Sequence, residues 1–387
     1  MKIYTPILNN IITALQKIIY ENYYSDKVLE YLFKTNKKLG KRDRSIIAET
    51  VYNIVRYYYL LEYLSADKSI LGIVNYYFQN LNTLNQYTIN EITSNADIPE
   101  RILLSFNDDL WNEGIQSLGK DQWLTEAKAL NQSAPLVIRT NTIKITKEQL
   151  QEELFKLGIE TIENTECPEA LIITNKKFLS QNDLFKKGYY EFQDLSSQKV
   201  ARFIPEEVLQ NAHRIIDACA GAGGKTLHLS ALKQNKGQII ALDVEDKKLH
   251  ELHKRSNRAG CSNIQIKPIS SSKIIKRLKH SADIVLIDAP CSGTGVIKRN
   301  PDTKLKFSSQ NLNELIYIQR NILKDYCEML KPDGYLLYVT CSILKKENED
   351  QIQWFLNQHP EFKLLKEQTL LPSQGFDGFY MALLKSP

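Results

Sequence analysis

The sequence predicts a mixed α/β protein. A doubly wound sheet fills its second half, preceded by an all-α amino-terminal domain and a small α+β module. Three observations carry this. From Arg214 onward, apolar strand-like runs alternate with amphipathic helical stretches, the pattern of a parallel sheet with crossover helices. Residues 1 to about 98 hold almost no Gly or Pro and repeat their apolar residues at helical spacing. Between the two lies a short strand–helix–strand pattern. The expected domains are 1–98 (helical), 99–190 (helical connector plus the small module) and 191–387 (a Rossmann-like domain).

In chain order, Ile7, Ile11, Ile12, Leu15, Ile18 and Ile19 share one helical face. A second helix runs from Asp43 through Val51, Ile54, Val55 and Tyr58. The cluster Tyr57-Tyr58-Tyr59 has two readings, a stacking platform for nucleic acid or packing at a helix interface, and packing is favoured. Lys37, Lys38, Lys41, Arg42 and Arg44 form a basic patch. Such a run is usually a solvated face, but it is the best RNA-contact candidate in this half.

Pro99 opens a helical connector to about Ala134. Leu136–Asn141 then reads as a strand, Lys147–Leu157 as a helix with Leu150, Leu154 and Leu157 on one face, and Ala170–Thr174 as another strand. Phe192–Gln198 leads into a helix through Val208. The alternating half follows, with expected strands at Arg214–Ala218, Gln238–Val244, Ile264–Lys267, Asp283–Asp288 and Gly334–Thr340, and a last strand in Asp377–Leu384.

At 387 residues the chain is long enough for two or three cores. A net charge of +5 is a mild lean toward anionic partners. Six cysteines, at 167, 219, 261, 291, 327 and 341, show no CxxC pair, which argues for reduced thiols and against a metal site. No stretch approaches 18 uninterrupted apolar residues, and the start is not a signal peptide. The expectation is a cytoplasmic monomer without a membrane segment or a bound metal.

The stretch Ile215 to Thr226 reads as strand, glycine turn and helix start. A Walker loop needs a Gly where Cys219 stands, and the third glycine of a dinucleotide loop is replaced by Thr226, so both patterns fail. What remains is Asp-x-x-x-Gly-x-Gly-Gly, with Asp243 about 26 residues after Asp217, where such folds hold a ribose diol. A ligand with a ribose and an amino acid but no phosphate, S-adenosylmethionine, fits that combination.

Two strands end in thiols, Ile284 to Cys291 and Tyr335 to Cys341. Ligands bind outside the carboxyl ends of such strands, so the two thiols are placed to meet in one pocket. Carbon 5 of cytosine is a poor nucleophile. A thiolate adding at carbon 6 makes it enamine-like and able to attack a methylsulfonium, and an acid near the ring assists at nitrogen 3. Asp288, three residues before Cys291, is the candidate acid. Chemistry alone does not say which thiol attacks, and DNA cytosine methyltransferases use the Cys that follows the proline.

The motifs Asp217-Ala-Cys-Ala-Gly-Ala-Gly-Gly-Lys-Thr226, Asp288-Ala-Pro-Cys-Ser-Gly-Thr-Gly295 and Thr340-Cys341-Ser342 resemble the NOL/NOP/Sun family of RNA cytosine-5 methyltransferases. Pro135–Asn141 and Phe192–Gln198 resemble its two preceding signatures, and Asp377–Ala382 its last strand. Together they span about 250 residues. Asp43–Arg56 resembles the NusB-like helical domain of the bacterial Sun/RsmB branch, which methylates small-subunit ribosomal RNA. The resemblance implies Cys341 as nucleophile, Cys291 in product release and Asp288 holding the cytosine. It implies a cofactor site of Ala218, Cys219, Ala220, Gly221, Ala222, Gly223, Gly224, Lys225, Asp243 and Asp288. The family's adenine-side acid is absent here, and Ser270 stands in that region. Arg139, Asn141, Lys298 and Arg299 are expected on the RNA, with Lys304 and Lys306 as further phosphate contacts. Two alternatives stay open: methyl transfer to a non-RNA acceptor, and an RNA-binding assembly factor that has lost catalysis.

Overall fold

The computed structural model describes residues 4–80, 98–175 and 182–387. The expected helical stretch over 81–97 lies outside them. The chain divides into two compact units, one of residues 1–133 with 296–312, the other of 134–295 with 313–387.

The first unit is helical. Its core joins Ile11, Leu15 and Ile18 of helix Thr5–Ile19 to Val51, Ile54 and Val55 of helix Lys41–Arg56 and to Ile73 and Val74 of helix Ile70–Gln79. Tyr58 is buried in this core and Tyr57 and Tyr59 pack against it, so the tyrosine cluster is packing. Lys304, fully buried, ties the unit together. Its ammonium donates to the carbonyl of Arg56, to that of Leu104 (3.3 Å) and to Asn131 Oδ1 (2.8 Å), and it lies 4.6 Å from the Phe106 ring. Arg56 ends one helix, while Leu104 and Asn131 cap two others. A cation is favourable where helix carbonyls converge.

In the second unit, the small module is an antiparallel sheet of order β2-β3-β1-β4, with β1 Leu136–Thr140, β2 Thr161–Glu163, β3 Ala170–Ile173 and β4 Tyr190–Phe192. Helix Lys147–Lys156 buries Leu150 and Leu154 against it. The expected helix through Val208 is instead two, Leu195–Arg202 and Glu206–Asn211, with Pro205 at the break because it has no N–H to continue the first.

The larger sheet has order β10-β11-β9-β8-β5-β6-β7. Its parallel part is β5 Arg214–Asp217, β6 Gln238–Asp243, β7 Ile264–Pro268, β8 Ala282–Asp288 and β9 Leu330–Thr340. The fold is mixed rather than wholly parallel: β11 Phe379–Lys385 and β10 Lys363–Leu370 run antiparallel. Strand β10 has no counterpart among the expected strands because it is largely exposed and lacks an apolar run. Strand order reverses between β5 and β8, so the crevice falls outside the carboxyl ends of those two strands. Among the described residues no helix is long and apolar enough to cross a membrane.

Candidate active site

The loop after β5 turns sharply at Gly223 (φ +87°), where a Cβ would lie 2.5 Å from Leu252 Cγ. Only glycine fits there. Ala220 N donates to Leu242 O (2.8 Å) and Ala218 N to Leu286 O (2.8 Å), pinning the loop to both neighbouring strands. Asp243, ending β6, accepts from Gly221 N (2.8 Å) through Oδ2 and from Glu245 N (2.8 Å) through Oδ1. The expected loop and acid are therefore together. Cys219 is a loop residue whose thiol is pushed well up by burial and then by Asp217, Asp288 and Asp243. Ser270 is exposed beyond β7.

Asp217 is buried and accepts from Thr226 Oγ1 (2.6 Å), while its Oδ1 has no hydrogen-bond partner. Burial pushes its pKa up to about 7. Lys225 is turned toward β8, where its ammonium lies 2.5 Å from Asp288 Oδ2 and 5.2 Å from the Phe379 ring. Burial opposes its charge, but Asp288, then Cys341 and Asp217, outweigh that and raise its pKa.

The two thiols meet. Cys291 Sγ lies 3.3 Å from Cys341 Sγ, both sulfurs in partly exposed residues. Cys291 is raised well above the ordinary thiol range, first by its hydrogen bond to Cys341, then by burial and the charges of Cys341 and Glu347. Gly295 N donates to Cys341 O (2.9 Å) and Gly378 N to Gly295 O (2.8 Å). A Cβ on Gly295 would lie 2.1 Å from Gly378 O, so this three-way approach requires glycine. Beneath the pair, buried Glu347 accepts from Ser292 N (2.8 Å), Ser292 Oγ (2.5 Å) and Gln319 Nε2 (3.0 Å).

Three of the four residues expected on the RNA, Arg139, Asn141 and Lys298, are buried rather than exposed. Arg139, 2% exposed, donates to Gln193 and to Gly224 O (2.9 Å) at the start of the glycine-loop helix. Asn141 donates to Gly188 O (2.8 Å) and Ala259 O (2.7 Å). Glu191 completes this buttress with Arg255 (3.0 Å) and Arg258 (2.6 Å), and Arg255 also holds Ala222 O (2.7 Å). These side chains join the small module to the loop, so their charge faces inward. Lys298 is 2% exposed and its carbonyl accepts from Arg56 (2.9 Å). Lys304 is enclosed as described. Lys306 donates to Asn22 Oδ1 (3.0 Å) and Tyr23 O (2.9 Å). Arg299 is half-buried, while Lys37, Lys38, Lys41 and Arg42 are exposed. Sequence reasoning misses Glu347, Gln319 and Arg255. A polar Glu347-Asn348 pair close behind a thiol is the only signal for the first.

A sheet of this order, with a glycine loop after β5 and acids ending β6 and β8, is the Rossmann-like methyltransferase fold, whose cofactor is S-adenosylmethionine. The site fits that molecule: Asp243 lies beside the loop, a Cβ at Gly221 would meet only open space, and Asp217 offers a buried oxygen still free to accept from an ammonium. Residues 208–385 match the family of 16S rRNA methyltransferases RsmB/F, and 110–178 its ferredoxin-like domain. The chain is 35% identical over 280 residues to ribosomal RNA small subunit methyltransferase B of Pasteurella multocida, covering 68% of this chain but only 61% of that protein. Among solved structures, PH0851 matches with TM-score 0.78 and 25% identity over 100% of both chains. A methyltransferase homologue from Pyrococcus horikoshii matches with TM-score 0.64 and 27% identity, over 74% of this chain and 98% of that one. The chain belongs to the NOL/NOP/Sun family, on its RsmB/F side.

Proposed function

We propose that this chain methylates carbon 5 of a cytosine in RNA, with small-subunit ribosomal RNA as substrate and the base held covalently on Cys341. The observation that carries the reading is the pair of sulfurs 3.3 Å apart at the carboxyl ends of β8 and β9, beside the glycine loop. Methyl transfer to oxygen or nitrogen needs no thiol, whereas activation of carbon 5 needs one and release of the product employs a second. The RNA assignment is supported by the name of the Pasteurella relative and by the family matched over 208–385.

Bound S-adenosylmethionine supplies an electrophilic methyl group. The protein's part is to hold and activate the base. Lys225, paired with Asp288 at 2.5 Å, brings a cation to the thiol site, and its own pKa is raised there. The hydrogen bond to Cys341, and then burial, hold the Cys291 thiol well above its ordinary range. The family resemblance makes Cys341 the nucleophile at carbon 6, and Asp288 with Lys225 forms a polar clamp for the ring edge where negative charge develops. Cys291 accepts the carbon 5 proton so that the adduct can break.

The test is denaturing gel electrophoresis of Cys291→Ala and Cys341→Ala proteins after incubation with total RNA and S-adenosylmethionine. The expected result is a slow, RNase-sensitive band in Cys291→Ala alone. A band only in Cys341→Ala would exchange the two roles, and no band in either, with cofactor still bound, would remove cytosine carbon 5 as the acceptor.

A further inference from the structure

Helices Ser309–Tyr326 and Glu349–Gln358 meet along a seam that begins at the thiol rim. On the first helix, Gln319 donates to Pro290 O (2.9 Å) and to Glu347 (3.0 Å), so this helix runs against the Cys291 loop. The next residue, Arg320, holds its guanidinium carbon over the Trp354 ring of the second helix, 5.1 Å from the centroid. Gln319 and Gln351 are fully buried in the seam, and each leaves its Oε1 without a hydrogen bond, as Arg320 does its buried Nε. Arg320 and Trp354 are themselves partly exposed.

No carboxylate or carbonyl among the described residues engages the Arg320 guanidinium. The arginines of the buttress differ, since Arg139, Arg255 and Arg258 each donate to an oxygen. A guanidinium is a rigid fork of N–H donors that keeps its charge at every physiological pH. Here the indole already fixes its plane, so binding has little side-chain freedom left to remove. With Nε sealed in the seam, the terminal nitrogens form the outward edge. Exposed Tyr317 stands one turn before Arg320 on the same helix, and exposed Lys324 one turn after.

We propose that the Arg320–Trp354 stack is a phosphate site, which holds the backbone of the RNA strand whose base enters the thiol pocket. This rests on the reading of RNA as substrate. The fork matches two oxygens of one phosphate, and a backbone contact fixes register without reading sequence. The helix that grips the Cys291 loop through Gln319 is the one that presents Arg320. A phosphate held there therefore sets which stretch of the strand lies over the sulfurs. Tyr317 offers a ring face on which a neighbouring base stacks.

The test follows binding of the full-length protein to small-subunit ribosomal RNA by filter retention across a salt series, without cofactor. Arg320→Gln should weaken binding about tenfold. It should also reduce the slope of log affinity against log salt by about 0.7, the share of one phosphate on a single strand. Arg320→Lys keeps the charge but loses the fork, and Trp354→Leu removes the platform. Each should keep the slope and lose about threefold in affinity. Binding of S-adenosylhomocysteine, measured by calorimetry, should be unchanged in all three. Lys363→Gln, which removes a charge from exposed strand β10, should leave affinity and slope as they are. If circular dichroism shows Arg320→Gln unfolded, the Lys and Leu variants decide, and full affinity in both would overturn the site. Unchanged affinity and slope in a folded Arg320→Gln would overturn it while leaving the substrate assignment standing. So would an equal loss in Lys363→Gln, which would show diffuse attraction in place of a site. RNA that fails to bind the unaltered protein would overturn both readings.

Discussion

Two lysines have lost most of their contact with water, and they have lost it in different company. Lys225, at the rim of the large sheet, keeps 11% of its side chain exposed and faces the Asp288 carboxylate. Lys304, in the helical unit, is fully enclosed and donates to carbonyl and amide oxygens, with no carboxylate among its described partners. Its pKa is driven well down by burial and then by Arg56, whereas that of Lys225 is raised. A buried ammonium satisfied by neutral oxygens is a structural clamp. One satisfied by a carboxylate, with a thiol beside it, is poised to answer a change of charge. Burial marks neither as functional, and the partner decides.

The acids of the sheet repeat the contrast, since Asp288 has a cation and Asp217 has none in contact. The folded-state pKa of Asp217, about 7, exceeds the ordinary aspartate value of 3.8. The protonated form is thus favoured by folding: its stabilisation is complete below about pH 4 and is lost as pH rises through about 7. At about 1.4 kcal/mol per unit the loss is about 4 kcal/mol. Urea unfolding across that range should show the decline, and Asp217→Asn should flatten it. A curve unchanged in Asp217→Asn would show that Asp217 is not the buried acid responsible.

Lys304→Met comes next. It strips a donor from two carbonyls and an amide oxygen in the dry interior, and should cost about 3 kcal/mol in unfolding free energy. A loss below about 1 kcal/mol would mean that the helix ends find other donors. Lys225→Met should do the reverse, lowering methyl transfer about a hundredfold while shifting the unfolding midpoint far less. If Lys225→Met unfolds the protein and Lys304→Met does not, the distinction between clamp and poised cation fails. The smallest effect is expected from Arg139→Met, about tenfold in S-adenosylmethionine affinity, because the glycine loop loses a buttress. RNA binding, followed by filter retention without cofactor, should be unchanged. A selective loss of RNA binding would return Arg139 to the surface role its sequence suggests.

Much of this architecture is legible in the amino-acid sequence. Strands β5, β6, β8 and β9 are apolar runs closed by an acid or a thiol, and periodicity finds such runs because burial on both faces leaves no other composition. The glycine loop is legible because its turn demands glycine at fixed spacing, and the thiols because Cys341 directly follows β9 and Cys291 comes three residues after the end of β8. Arg139 is misread for a physical reason. An arginine in a strand facing another element looks the same in sequence as one facing solvent, and only the docking of helix Gly224–Leu232 makes it internal. The residues 296–312, adjacent in sequence to the Cys291 loop, pack with the helical unit through contacts such as Lys304 to Arg56, 248 positions apart.

Local chemistry and short-range periodicity are enough to specify which reactive groups the chain carries and which strand ends present them: Asp217, Asp243, Asp288, Cys291 and Cys341. Folding in three dimensions adds what no such pattern holds. It brings two sulfurs 50 residues apart to within 3.3 Å, turns Lys225 to Asp288, and closes Glu347 beneath the pair. Those distances depend on strand order and on which loops the close approach of Gly295 to Gly378 draws together, and both are set by contacts between segments far apart in the chain.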